Sequence, residues 1–259
     1  LLRTVTVTRY VAPLREGGSL PAIVEADDLG TYVLKFRGAG QGRKALVAEI
    51  AAGELARSLG LAVPEIVLAE LDAELARPEP DPEIQDLIRA SAGLNVALDY
   101  LPGSLGFDPL VDAPDPLLAS RILWFDALVA NVDRTVHNPN LLVWHGRLWL
   151  IDHGAALYFH HAWRGWEEAS RKPYVAARDH VLLPFATALR EADEMMSARI
   201  SPAMLDGILG LVPDAWLQDE PGFADTQEVR TAYREYLLSR LEEPREWVDH
   251  LEETRAQAV

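Results

Sequence analysis

Hydrophobic periodicity along this chain changes character near residue 100, and few folds accommodate such a change. Before that point the apolar residues come in short period-two runs separated by turns. Residues 4–8 alternate between Thr and Val, residues 22–25 are short and β-prone, and residues 31–36 form a strong strand pattern after a hairpin turn at 27–30. Strand-like segments at 66–71 and 95–100 complete the set. One helical pattern interrupts it, over 43–59, stopped by Gly60 with Pro64 just beyond. Residues 77–83 carry three prolines and read as a loop or insertion. The pattern breaks at Leu101, Pro102, Gly103 and Ser104, and a loop rich in Pro and Asp follows at 108–116. From there a long apolar helix is expected over 117–129, and most of 176–259 is helical in pattern. The expectation is an α+β protein of two lobes without internal repeats. Residues 1–101 form a small antiparallel sheet with one main helix, and residues 102–259 form a mostly helical lobe.

Composition narrows the function. The 259 residues are 49% hydrophobic, enough for a sizeable core. No apolar run approaches the roughly 20 residues needed to span a bilayer, and the first residues lack signal-peptide organisation. With no cysteine, disulfides, thiolate metal sites and cysteine nucleophiles are excluded, and a cytoplasmic setting is the simplest expectation. A net charge of −16 repels phosphate backbones and anionic lipid, so neither general nucleic-acid binding nor membrane binding is expected. Against that background Lys35, Arg37, Arg43 and Lys44 fall within ten positions, a local landing place for an anion.

The chemistry concentrates in two short segments. Asp133, on a loop directly after the apolar helix, is followed five residues on by Asn138, and Asp152 ends the apolar run 148–151 before His153 and Gly154. Asp, Asn and Gly also dominate ordinary turns, and each alone is better explained that way. Their order, spacing and flanking strands point instead to phosphoryl transfer. That reaction needs a carboxylate to orient or deprotonate the attacking hydroxyl, plus an amide oxygen and a second carboxylate to hold magnesium on the phosphates.

Upstream, Lys35 lies inside an apolar strand, where burial alone explains a lysine poorly. Glu49 shares one helix face with Ala52, Gly53 and Ala56, small residues that permit close approach to the sheet, so Glu49 is the expected partner of Lys35, with Glu54 as rival. Such a pair places a lysine on nucleotide phosphates. Gly17, Gly18 and Ser19 join two strands ahead of Lys35, and their amides could cover phosphates. No Gly-x-x-x-x-Gly-Lys-Ser/Thr sequence occurs, which disfavours a P-loop NTPase. The histidines at 160 and 161 lack a third ligand at zinc spacing and read as packing, as does His153.

The succession of Lys35, Glu49, the hinge-like segment 98–104, Asp133 with Arg134 and Asn138, and Asp152 with His153 and Gly154 resembles the HipA-like kinases. These belong to the broader protein-kinase-like group that includes phosphatidylinositol kinases. The segment from Glu49 through Leu55, Ala56, Gly60 and Leu61 to Val63 and Pro64 is particularly similar to the HipA pattern, and the similarity covers about residues 5–160. The resemblance implies a bilobal protein-kinase-like fold with ATP between the lobes. It implies Lys35 on phosphate, Glu49 orienting it, Asp133 as the catalytic aspartate, Asn138 and Asp152 holding Mg2+, and the backbone around Asp99, Tyr100 and Leu101 meeting adenine. Three departures stand out: Thr135 where many relatives have histidine, a second asparagine at Asn140, and His153 in place of phenylalanine. The implied activity is phosphorylation of a protein serine or threonine. A small-molecule hydroxyl is the alternative acceptor, and a binding module without turnover is the alternative from another class.

Overall fold

The computed structural model describes residues 1–14 and 20–258. The first elements are β1 (Thr4–Pro13), β2 (Ala22–Ala26), β3 (Thr31–Lys35), α1 (Arg43–Ser58), β4 (Ile66–Leu71), α2 (Pro82–Ala90) and β5 (Gly93–Asp99). Their strands close into a barrel in the order β1-β2-β3-β5-β4. All neighbours are antiparallel except β1 and β4, which run parallel with Thr4 opposite Leu68. The expected antiparallel sheet is thus corrected in one respect. A parallel pair removes its open edges, a long-range choice that period-two patterning does not encode.

Alternation decides what faces where. In β3, Tyr32 and Leu34 are buried among the barrel residues while Thr31, Val33 and Lys35 lie on the opposite face. Lys35 therefore leaves the barrel interior on the side covered by α1. That helix follows Gly42 at φ +64° and ends where the amide of Leu61 bonds back to the carbonyl of Ala56 around Gly60 at φ +82°. It is buried almost throughout from Leu46 to Ala56, against β4 and β5 on one side and later helices on the other, and it belongs to the larger of two hydrophobic cores.

A second helix, α2, corrects the expectation of a single main helix before residue 101. Its start was hidden in the proline-rich segment: Asp81 caps the amide of Glu83 at 3.0 Å and Pro82 occupies the first helical position, where a missing N–H costs nothing. Ile84 and Ile88 then turn into the barrel core.

The remainder comprises β6 (Leu105–Gly106), α3 (Pro116–Leu128), β7 (Leu141–Trp144), β8 (Arg147–Leu150), α4 (Trp166–Ala169), α5 (Leu189–Ser197), α6 (Pro202–Leu209), α7 (Asp214–Leu217), α8 (Thr226–Leu241) and α9 (Glu246–Ala258). Asp115 caps α3 through the amide of Leu118 at 2.9 Å, and nine of its residues are buried between Ala119 and Leu128. β7 and β8 form a hairpin through His145 and Gly146, both at positive φ, and with β6 make a three-stranded sheet inside the helical half. The amide of Leu150 donates to the carbonyl of Ala62 at 2.8 Å, so this sheet is tied to the segment leaving α1. Among the described residues no helix is long and apolar enough to cross a membrane.

Candidate active site

Three elements bring their charged residues to one point. Lys35 Nζ, from the end of β3, donates to Glu49 Oε2 of α1 at 2.7 Å and to Asp152 Oδ1 just beyond β8. The latter two partners are separated from Lys35 by 14 and 117 positions. Glu54, the rival partner, instead meets Arg57 on its own helix at 3.4 Å. Glu49 is fully buried and also accepts from the backbone amide of His153 at 3.0 Å, with His153 Nδ1 at 3.4 Å from its other oxygen. Burial pushes the Glu49 carboxyl up, but the Lys35 ammonium and the His153 N–H outweigh it and lower its pKa to about 2. Burial works against the Lys35 charge, yet Asp152 and Glu49 hold its pKa above the ordinary lysine value. Both groups stay ionised.

The close approach of α1 depends on Gly53. A Cβ there would lie 2.4 Å from Ile66 Cδ1 and 3.6 Å from His153 Nδ1. His153 packs edge-on against Phe125 at 6.2 Å, the place of a packing residue that also fastens Glu49.

Asp133 lies on the loop after α3. Its Oδ2 accepts from Asn138 Nδ2 at 2.8 Å, and Asn140 Nδ2 approaches the same oxygen at 3.5 Å. Burial first, and then the negative charge of Asp152, raise the Asp133 pKa above the usual aspartate value. The two aspartates therefore face one another closely enough to repel. Asp152 gives one oxygen to Lys35 while its side chain stays 36% exposed.

At the hinge, the amides of Asp99 and Tyr100 are already bonded to the carbonyls of Glu65 and Thr31, at 2.9 and 3.0 Å. The carbonyl of Leu101 accepts from the amide and hydroxyl of Ser104. The Leu101 N–H has no protein partner among the described residues, although the residue is only 5% exposed. Gly17, Gly18 and Ser19 lie outside the described residues.

Residues matching the HipA-like kinase family model run from 7 to 250. The chain belongs to that family. None of the curated proteins matches it. Among solved structures, the Helicobacter pylori proinflammatory kinase CtkA is similar at 13% identity and a TM-score of 0.58, covering 98% of this chain and 99% of that one. The Golgi casein kinase with Mn/ADP bound is similar at 14% identity and a TM-score of 0.50, covering 100% of this chain and 74% of that one. At such identities the likeness shows the fold, which is kinase-like. Its match to this family extends well past residue 160, into helices whose sequence reads as generic.

Sequence reasoning passed over a buried polar network beneath the site. Asp126, fully buried on α3, accepts from Arg134 Nε at 2.5 Å, from Asn131 Nδ2 at 2.9 Å and from His180 Nε2 at 3.0 Å. The Leu182 amide donates to His180 Nδ1 at 3.1 Å, which leaves the ring proton on Nε2, facing Asp126. Burial would raise the Asp126 carboxyl, but Arg134 and His180 drive its pKa well below the ordinary value. Burial keeps His180 below its ordinary pKa despite Asp126. A carboxylate in the middle of the apolar run 117–129 was the available signal, since buried charge demands a partner. Of the paired histidines, His160 is buried with its Nδ1 at 2.9 Å from the Tyr233 hydroxyl, while His161 is exposed. Among the described residues no three His, Asp or Glu side chains gather as a metal cage.

Proposed function

We propose that the protein transfers the γ-phosphoryl group of ATP to a serine or threonine hydroxyl of another protein, in a magnesium-dependent reaction. The supporting observation is Lys35, carried by the barrel and flanked by Glu49 and Asp152 from two other elements. ATP would lie between residues 1–101 and 102–259, taken as nucleotide-binding and catalytic lobes. The unpartnered N–H of Leu101 would suit an adenine ring nitrogen as its acceptor. Lys35, kept charged and oriented by Glu49, would bind the phosphates.

The donor set fits magnesium. Asn138 and Asp152 offer hard oxygens, and the mutual repulsion of Asp133 and Asp152 is the kind of charge conflict a divalent cation relieves. Held by Asn138 and Asp152, magnesium would supply positive charge against the phosphate oxygens. As ATP enters, its phosphates would take Lys35 from Asp152. Asp133, steadied by Asn138, would accept the acceptor's proton as the acceptor oxygen bonds to the γ-phosphorus, and the bond from that phosphorus to the leaving ADP oxygen breaks. A raised pKa makes Asp133 a better proton acceptor than an ordinary aspartate.

Incubation of the protein with γ-labelled ATP, magnesium and a lysate tests this directly. Label should appear on a protein band and vanish with Lys35→Ala. Label on a small molecule would redirect the acceptor, and no label in any fraction would favour a binding module.

A further inference from the structure

Resting on that reading of the site, we infer that Arg134 is a positioning residue, whose guanidinium holds the loop bearing Asp133 and Asn138 in register with the turn bearing Asp152. Arg134 is 1% exposed, and its fork is divided. Nε and Nη2 face the two oxygens of Asp126, at 2.5 and 3.4 Å. Nη1 donates to the carbonyl of Asn140 and, at 3.4 Å, to that of Ile151. Those carbonyls belong to the two segments that carry the proposed magnesium ligands. The amide of Ile151 closes the same junction on Asn140 O at 3.1 Å.

The backbone turns sharply at this junction. Asn140 sits at φ +48° and Asp152 at φ +55°, left-handed conformations that Asn and Asp reach more readily than other side-chain-bearing residues and that the contacts around them hold in place. Arg134 grips the carbonyl of Asn140 itself and the one immediately preceding Asp152. Its anchor does not give: Asp126 is further fixed by Asn131 and His180, and Asn131 Oδ1 accepts from the Asp133 amide at 3.1 Å. Only a planar fork reaches a carboxylate and two carbonyls at once; a lysine ammonium in the same place cannot serve all of them.

A buried ion pair serving stability alone would predict otherwise. Loss of Arg134 and loss of His180 would then act alike, on folding only. As a positioning residue, Arg134 governs how well Asn138 and Asp152 meet one metal, and removing such outer partners typically costs about 10- to 100-fold in metal affinity.

The quantity to measure is magnesium's enhancement of ATP affinity, from calorimetric titrations with and without the metal, on the whole chain. Arg134→Lys is expected to lower the enhancement at least about tenfold, leaving metal-free ATP affinity within about twofold. His180→Asn is expected to lose thermal stability while changing the enhancement by no more than about twofold, because Arg134 and Asn131 still hold Asp126. A folded Arg134→Lys protein with wild-type enhancement overturns the inference, as does an equal loss in both variants. Should Arg134→Lys not fold, Asp126→Asn, of the same shape but a weaker anchor, decides. A loss of about threefold or more is expected, being milder than removal of the outer partner itself, and an unchanged value overturns the inference. A wild-type protein that binds ATP with no magnesium enhancement refutes the kinase site itself, and the clamp with it.

Discussion

Glu49→Gln isolates the charge at the centre of the site. The carboxyl is fully buried, and its pKa falls from 4.5 to about 2 through Lys35 and the His153 N–H, against its own burial. At 1.36 kcal/mol for each pH unit, that difference is worth about 3 kcal/mol of stability at pH 7. The sign follows from a depressed folded-state value. The contribution is fully present above the unfolded pKa and fades as pH falls towards 2, because the unfolded chain takes up the proton first. Glutamine keeps the shape and can still accept from the His153 amide, while Lys35 keeps Asp152. The variant should therefore fold, about 3 kcal/mol less stable at neutral pH, the lower end for a broken buried pair. Urea unfolding at pH 7, 4 and 3 measures the gap between variant and wild type. It should shrink by about 2 kcal/mol between pH 7 and pH 3. A gap independent of pH would show that Glu49 carries no special charge in the folded protein. The same variant should raise the KM for MgATP, since an unsteadied Lys35 binds phosphate less well.

Further outcomes follow from the same geometry. Asp133→Asn should slow transfer by about 100- to 10,000-fold with ATP affinity little changed, read by label transfer beside calorimetry. An active variant would remove Asp133 from the chemistry. Asp152→Ala should abolish magnesium's effect on ATP affinity yet preserve or improve metal-free binding, because the carboxylate competes with phosphate for Lys35. A change of only about 1 kcal/mol in stability would mark it as a turn residue. Gly53→Ala should destabilise by about 1–2 kcal/mol despite the better helix propensity of alanine, since the new Cβ lies 2.4 Å from buried Ile66 Cδ1. Adding Ile66→Val, which deletes that atom, should recover most of the loss in thermal melts.

Local pattern carried far in this chain wherever the deciding forces are local. The strands β2, β3, β4 and β5 and the helices α1 and α3 follow from period and from stop signals such as Gly60, because neighbouring residues alone set which face is apolar. Lys35 and Asp152 stood out for the same reason, as charges set in or against apolar runs. The helix α2 was missed although its signal was local, with Asp81 and Pro82 obscured by the prolines before them.

The remainder is decided by residues far apart in sequence, which no window contains. Closure of the barrel rests on β1 meeting β4, more than sixty positions away. The rotation of α1 that turns Glu49 towards Lys35, leaving Glu54 to Arg57, is set by packing against β4 and β5 on one side and α6 and α7 on the other. Arg134 was visible only as the neighbour of Asp133. Its hold on Asp126, Asn140 and Ile151 exists because α3, the loop after it and β8 enclose one small, buried volume. In such a volume every charge must find its partner, and which partner it finds is settled by the fold and not by the order of the chain.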